Sequence, residues 1–380
     1  MTAESDVRDT PEDPSTLTEE EVAEIEQAEA ESVSISYSGT DFDVEGLVRR
    51  LDRGDIVIPN FGHPDEDLEV AGFQRSFVWR RPQMDRFIES LLLGYPIPAI
   101  MLVQQLDKRY LVLDGQQRLK TLQYFYNGVY RGVEFALTNV AEQFKGLTYR
   151  TLDDPLRRML GNTFIQATIV RTDGSPASLD AVYQIFERLN SGGTQLTAHE
   201  IRIALYSGPL VGLLTDLNSV ADWRRIYGPP SPRLRDQELV LRIIALYSRS
   251  NEYFSPLKKF LNTFMSDHRT LTTFPISDIR EAFEGAAVAL NAAGVRDAIR
   301  RTGQRVNAAL LEAVMVGYMR ILESGEPLST QRLSAALIRI GQDRELQMSS
   351  ASSTTSEENV RARINGVTRI MASEAGTETE

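Results

Sequence analysis

The chain contains no cysteine, and its only histidines are His63, His199 and His268. Thiol nucleophiles, disulfides, iron–sulfur clusters and cysteine-ligated zinc are therefore excluded. None of the histidines has a partner at ligand spacing, so each is expected to be structural or solvent-facing. Lysine is nearly as scarce, with 5 against 36 arginines. Arginine suits bidentate phosphate recognition, although coding-sequence base composition is a sufficient explanation. No apolar run approaches the roughly 20 residues of a membrane span. The acidic amino terminus lacks the basic and apolar regions of a signal peptide. A cytoplasmic protein without membrane contact is expected. Also missing are a Walker loop, a Gly-x-Gly-x-x-Gly fingerprint, a second histidine after His199-Glu200 to make a zincin, and a serine nucleophile elbow.

At 380 residues the chain is expected to hold two domains. Its net charge of −12 is unevenly spread. Residues 1–40 carry 12 acidic residues and one basic one, which leaves 41 acidic and 40 basic residues for the rest. The expected layout is an acidic disordered tail over 1–40, an α+β domain with a mixed sheet over 41–195, an all-α helical domain over 196–373, and a disordered tail over 374–380. Overall charge neither requires nor forbids nucleic-acid binding by the body.

The organising stretch is Tyr110-Leu111-Val112-Leu113-Asp114-Gly115-Gln116-Gln117-Arg118-Leu119, read as strand, tight turn and helix, with the helix running over 116–127. As a plain capped turn, Asp114 is the N-cap and Gln117 closes a capping box. That leaves Arg118 unexplained, because a cation is disfavoured in a first helical turn. Gly115 is also a poor helix former, costing about 1 kcal/mol against alanine. Both fit an anion held at the helix start by free N–H groups and a guanidinium.

Before this stretch a helix is expected from Val44 to Leu51, a short strand at Ile56–Pro59, a helix beginning at Pro82, and a hairpin of Ala99–Gln104 with Tyr110–Leu113. After it come strands at Gly132–Leu137 and Phe164–Arg171, with helices near Pro155–Leu160 and Leu179–Leu189. Thr197-Ala198-His199-Glu200 is a capping box. Beyond it helices are expected near 197–207, 236–249, 256–266, 277–293, 305–323, 329–341 and 357–372, with Asp236 as an N-cap.

Three further constellations accompany the central turn. Phe73–Arg81 sets Arg75, Arg80 and Arg81 among aromatics, and Gln74 and Arg75 are candidates for a second phosphate contact. Asn190-Ser191-Gly192-Gly193-Thr194 links two helices and reads mostly as a C-cap followed by an N-cap. Arg233-Leu234-Arg235 precedes an apolar helix.

Together, Phe-Gln-Arg-x-Phe-Val-Trp, Asp-Gly-Gln-Gln-Arg and Ile-Phe-Glu-Arg-Leu-Asn-Ser-Gly-Gly-Thr-Gln-Leu-Thr, in this order along the chain, resemble the GmrSD restriction-endonuclease amino-terminal domain family. That family is similar to the ParB/sulfiredoxin-like superfamily, and the resemblance covers roughly residues 43–250. It implies a nucleotide-binding, NTP-hydrolysing sensor in bacterial restriction or anti-phage defence. Its ligands would be a nucleoside triphosphate and Mg²⁺, with DNA as partner directly or through another protein. The site would comprise Asp114, Gln116, Gln117 and Arg118 as catalytic residues, with Asp114 also on the metal. Gln74, Arg75, Gly115, Lys120, Asn190, Gly193 and Thr194 would bind the nucleotide. Lys120 departs from the family pattern and lies two positions past Arg118, on another helix face; it could add charge near phosphate, but a place in solvent is expected for it. Family members commonly carry a histidine-dependent nuclease domain or subunit. With no histidine–asparagine cluster here, cleavage is not expected of this chain alone, and a separate nuclease subunit is. Sulfiredoxin chemistry needs a cysteine and is out. The alternative is a non-enzymatic ParB-like DNA-binding module, and a capped turn in an inactive scaffold also stays open, as does self-association.

Overall fold

Tyr37–Asp43 forms a strand, β1, although the sequence assigns most of it to the acidic tail. The computed structural model describes residues 35–59, 79–189, 197–231, 233–299, 307–325, 327–351 and 353–375. The remainder of the expected tail, 1–34, lies outside them. β1 carries only Tyr37 and Phe42 as large apolar residues, so its pattern is faint. What makes it a strand is seven-residue antiparallel pairing with a distant partner.

Asp43 then caps helix α1 (Val44–Asp52) by accepting from the Gly46 N–H at 2.6 Å. Val44, Leu47, Val48 and Leu51 make its buried stripe. After β2 (Ile56–Val57), the described chain resumes at Trp79 and enters α2 (Arg81–Leu92), with Pro82 in the first turn as expected. β3 (Ile100–Gln104) and β4 (Tyr110–Asp114) form the expected hairpin, followed by α3 (Gln116–Asn127). Gly128, left-handed at φ 75°, ends α3. The strand expected over Gly132–Leu137 shortens to β6 (Val133–Glu134), paired with β5 (Val129–Tyr130), because Phe135 and Leu137 turn into the core. Then come α4 (Asp154–Asn162), β7 (Phe164–Arg171) and α5 (Pro176–Leu189).

The sheet is mixed, in the order β1-β7-β3-β4-β2. β1–β7 and β3–β4 are antiparallel, whereas β7–β3 and β4–β2 are parallel. One apolar core holds α1, α2, α3 and α4 with Ile100, Leu102, Val112, Ile165, Ala167 and Ile169 of the sheet. The fully buried Asp85 carboxylate on α2 accepts from Arg81, Thr138 and Asn139, which fixes the loop after β6. The class is α+β, as the pattern of elements indicated.

This first compact unit spans residues 30–196, and a second begins at Thr197. All the described elements of the second are helical: α6 (Ala198–Leu205), α7 (Pro209–Asn218), α8 (Ala221–Tyr227), α9 (Arg235–Arg249), α10 (Leu257–His268), α11 (Ile276–Ala292), α12 (Val295–Ile299), α13 (Ala308–Glu323), α14 (Thr330–Gln342), α15 (Arg344–Ser349) and α16 (Glu357–Ala375). The capping box of Thr197 and Glu200 forms as read. The sequence reading did not anticipate α7, α8, α12 or α15. Asp236 is not the N-cap of α9. Leu234, left-handed at φ 55°, occupies that position, and buried Asp236 accepts from Arg224 at 2.7 Å and Asn218 at 2.9 Å. Residues 309–319 of α13 are buried on every side, so this helix is the axis of the unit's core.

Candidate functional site

Gly115 is the N-cap of α3, in the left-handed region at φ 97°. An added Cβ would lie 2.5 Å from Ile100 Cγ2, so only glycine fits both the turn and its packing. The turn thus caps through its backbone conformation. Asp114 makes no side-chain cap bond to the helix, so the plain capped-turn alternative does not hold in that form. Its carboxylate is committed sideways, where Oδ2 accepts from Arg118 Nη2 at 2.8 Å. Arg118 Nη1 donates to the carbonyls of Pro98 and Ala99, the latter at 3.1 Å. The arginine is 12% exposed and the aspartate 57%. The charge of Arg118 is therefore met by protein groups, and its place in the first turn needs no external anion.

Gln117 also departs from the capping-box reading. Its Oε1 accepts the Trp79 N–H at 3.0 Å, and its carbonyl accepts from Thr121 Oγ1 at 2.7 Å. The Trp79 ring meets Phe87 edge-on at 5.5 Å, so the chain entering α2 is anchored on the turn. Lys120, expected in solvent, is 7% exposed. Its helix face does differ from that of Arg118, but Leu119, Lys120, Thr121 and Leu122 are all buried, so α3 is covered on every side over the turn 119–122.

The structure thus brings together Asp114, Gly115 and Arg118, and ties Gln117 to Trp79. Gln116 is half-buried and makes no side-chain hydrogen bond among the described residues. Gln74, Arg75, Asn190, Gly193 and Thr194 lie outside the described residues. Trp79 closes the Phe-Gln-Arg-x-Phe-Val-Trp motif, whereas Ile100 and the carbonyls of Pro98 and Ala99 belong to the site without a motif to mark them. Tyr95-Pro96-Ile97-Pro98 held the available signal, since prolines keep a chain extended and offer acceptors without donors.

By helix geometry the first-turn N–H groups of α3 have no intrahelical acceptor, so the turn presents donors beside an exposed carboxylate. Among the described residues no group of three His, Cys, Asp or Glu side chains is placed to hold a metal ion. A lone Asp114 fits Mg²⁺ only in the mode where phosphate and water complete the shell. No helix among the described residues is long and apolar enough to cross a membrane.

The second unit holds a polar cluster that the sequence reading treated as caps. Glu200 takes the Thr197 N–H at 2.5 Å and lies 3.5 Å from Arg233 Nη2. Arg202 donates to Asn262 at 2.8 Å, and His199 Nε2 lies 3.3 Å from Gln237 Oε1. Burial, with Arg202 nearby, pushes the His199 imidazole down to about 3, so it is neutral at pH 7.

Residues 51–207 match the family model described as GmrSD restriction endonuclease, N-terminal domain. No curated protein and no solved structure matches the chain.

Proposed function

The chain carries a GmrSD restriction endonuclease N-terminal domain, and from that premise we propose that it is the nucleotide-responsive sensor of its system. A domain of this family implies a component of a restriction-type defence system. The finer reading is that a nucleoside triphosphate with Mg²⁺ binds at the Asp114–Arg118 turn, and that its binding or hydrolysis is passed on to DNA or to a nuclease partner.

One observation carries this reading: the Trp79 N–H bond to Gln117, which fastens the end of the Phe73–Trp79 motif to the Asp-Gly-Gln-Gln-Arg motif. The charge of Arg118 is met by Asp114 and by the carbonyls of Pro98 and Ala99. In this reading Arg118 positions the turn, the N–H groups of Gln116 and Gln117 meet phosphate, the outer oxygen of Asp114 meets Mg²⁺, and Gln116 orients water. Bound Mg²⁺ would supply charge neutralisation on the phosphates.

The test is titration of labelled ATP and GTP against the full chain, with and without Mg²⁺. Wild type is expected to bind, and Asp114→Asn to lose the Mg²⁺-dependent part. Failure of wild type to bind either nucleotide, together with DNA binding that falls steeply with salt, would replace this reading with that of a DNA-binding module.

A further inference from the structure

β1 is an outer strand of the sheet, and its inner pairing fixes what faces outward. Ser36 O accepts the Arg171 N–H at 2.9 Å and the Val44 N–H donates to Thr163 O at 3.0 Å, both in register with β1–β7. In an antiparallel ladder, hydrogen-bonded and non-hydrogen-bonded pairs alternate. The even-numbered residues of β1 therefore spend their backbone groups on β7. Tyr37, Gly39 and Asp41 turn theirs to the open edge, where they meet no partner among the described residues. Edge strands are commonly blunted by charged side chains, proline or a bulge. β1, with sequence YSGTDFD and an unbroken register, has no proline and no bulge, and its only charges are Asp41 and Asp43 at its carboxyl end.

We propose that this edge pairs with β1 of a second copy of the chain, antiparallel, about a twofold axis at Gly39. Charge selects the register. An axis at Asp41 would set two carboxylates opposite each other at about 5.5 Å, a destabilising like-charge pair. An axis at Gly39 pairs Tyr37, Gly39 and Asp41 of both copies and puts Tyr37 opposite Asp41 of the partner subunit. The carboxylates then lie four residues apart, about 13 Å, beyond the Debye length of about 8 Å at physiological salt. The axis is also open, because a Cβ on Gly39 would meet nothing within 4 Å. Two exposed aromatics flank this face, Tyr37 at 73% and Phe164, opposite Asp43, at 68%.

Because the chain has no cysteine, single-cysteine variants report cleanly. Under mild oxidation Gly39→Cys is expected to give a covalent dimer, since residues facing across the axis are within disulfide reach. Ser38→Cys, whose facing residue is position 40, is expected not to. In sedimentation, wild type should rise from the mass of one chain to that of two with concentration. Tyr37→Asp should weaken the dimer about tenfold, because it opposes a carboxylate to Asp41 twice per dimer, and Tyr37→Lys should tighten it. Tyr37 is exposed in the single chain, so neither variant endangers folding. A wild type that stays at the mass of one chain, equal cross-linking of the two cysteine variants, or a dimer indifferent to Tyr37→Asp would each overturn the proposal.

Discussion

Arg118 donates to Asp114 Oδ2 at 2.8 Å and, through its other terminal nitrogen, to the carbonyls of Pro98 and Ala99. One side chain thus closes the end of β4 onto the approach to β3. A lysine offers a single point of charge and cannot span these acceptors at once. Arg118→Lys is expected to cost about 1–2 kcal/mol, and Arg118→Ala about 2–3 kcal/mol. Urea midpoints measure both, and an unchanged midpoint for Arg118→Ala would show the clamp to be idle.

The glycine beside it is constrained twice, by conformation and by space. Gly115→Ala is expected to lose about 2–4 kcal/mol, combining a left-handed non-glycine residue with an overpacked contact on Ile100. Ile100→Val in the same chain retains the branched methyl and should relieve little. Ile100→Ala removes the contact, so the added cost of Gly115→Ala should fall to the conformational part. A double-mutant cycle reads the difference, and strict additivity would mean that the contact does not matter.

Much of this was legible because local chemistry and tertiary need agreed. Asp-Gly after Tyr110–Leu113 announced the β4–α3 turn, and Asn127-Gly128 its end. Where they diverged, sequence fell short. β1 depends on a partner more than 120 positions away and has almost no apolar alternation of its own. A glycine already in the left-handed region starts α3, so Asp114 was free to face Arg118 instead of capping. Lys120 was placed on the right helix face, but nothing local revealed that this face is covered too. Asp236 looked like a cap because the arginine that claims it, Arg224, sits on a helix with too few residues to show a period.

His199 offers a pH test. Its pKa is pushed down to about 3 in the folded chain, chiefly by burial, against an ordinary value of about 6.5 when unfolded. Below that ordinary value the unfolded chain binds the extra proton, so stability is full above about pH 6.5 and falls as pH drops toward 3. The slope should reach about 1.4 kcal/mol per pH unit from this residue alone. Comparing unfolding between pH 7 and pH 5, His199→Gln should have a flatter profile than wild type. Parallel profiles would assign the acid loss elsewhere, with His268, also depressed by burial, the next group to test.

Glu312 lies within the buried α13 and bridges two arginines, Arg242 Nε at 2.6 Å and Arg363 Nη2 at 3.3 Å. Neutralising it leaves two guanidinium charges facing each other away from water. Glu312→Gln, nearly isosteric, is expected to cost about 3–5 kcal/mol. Replacing all three with apolar residues of similar volume should cost much less, because no charge is then left unmatched. Thermal unfolding of the two variants decides between a charge effect and a packing effect.

Gln117 separates two roles that sequence could not. If it pins Trp79, what counts is an acceptor oxygen at Oε1, which glutamate supplies and leucine does not. Gln117→Leu should therefore cost about 1 kcal/mol and speed amide exchange at Trp79. Gln117→Glu should leave both close to wild type. Trp223 is fully buried and the only other tryptophan, so Trp223→Phe leaves the Trp79 ring as sole fluorescence reporter of the same anchoring. If Gln117 instead orients water for nucleotide hydrolysis, the charged side chain should abolish turnover as fully as leucine does, whatever happens at Trp79. Retained turnover in Gln117→Glu with loss in Gln117→Leu fixes its task as positioning and leaves Gln116 as the glutamine that faces the ligand.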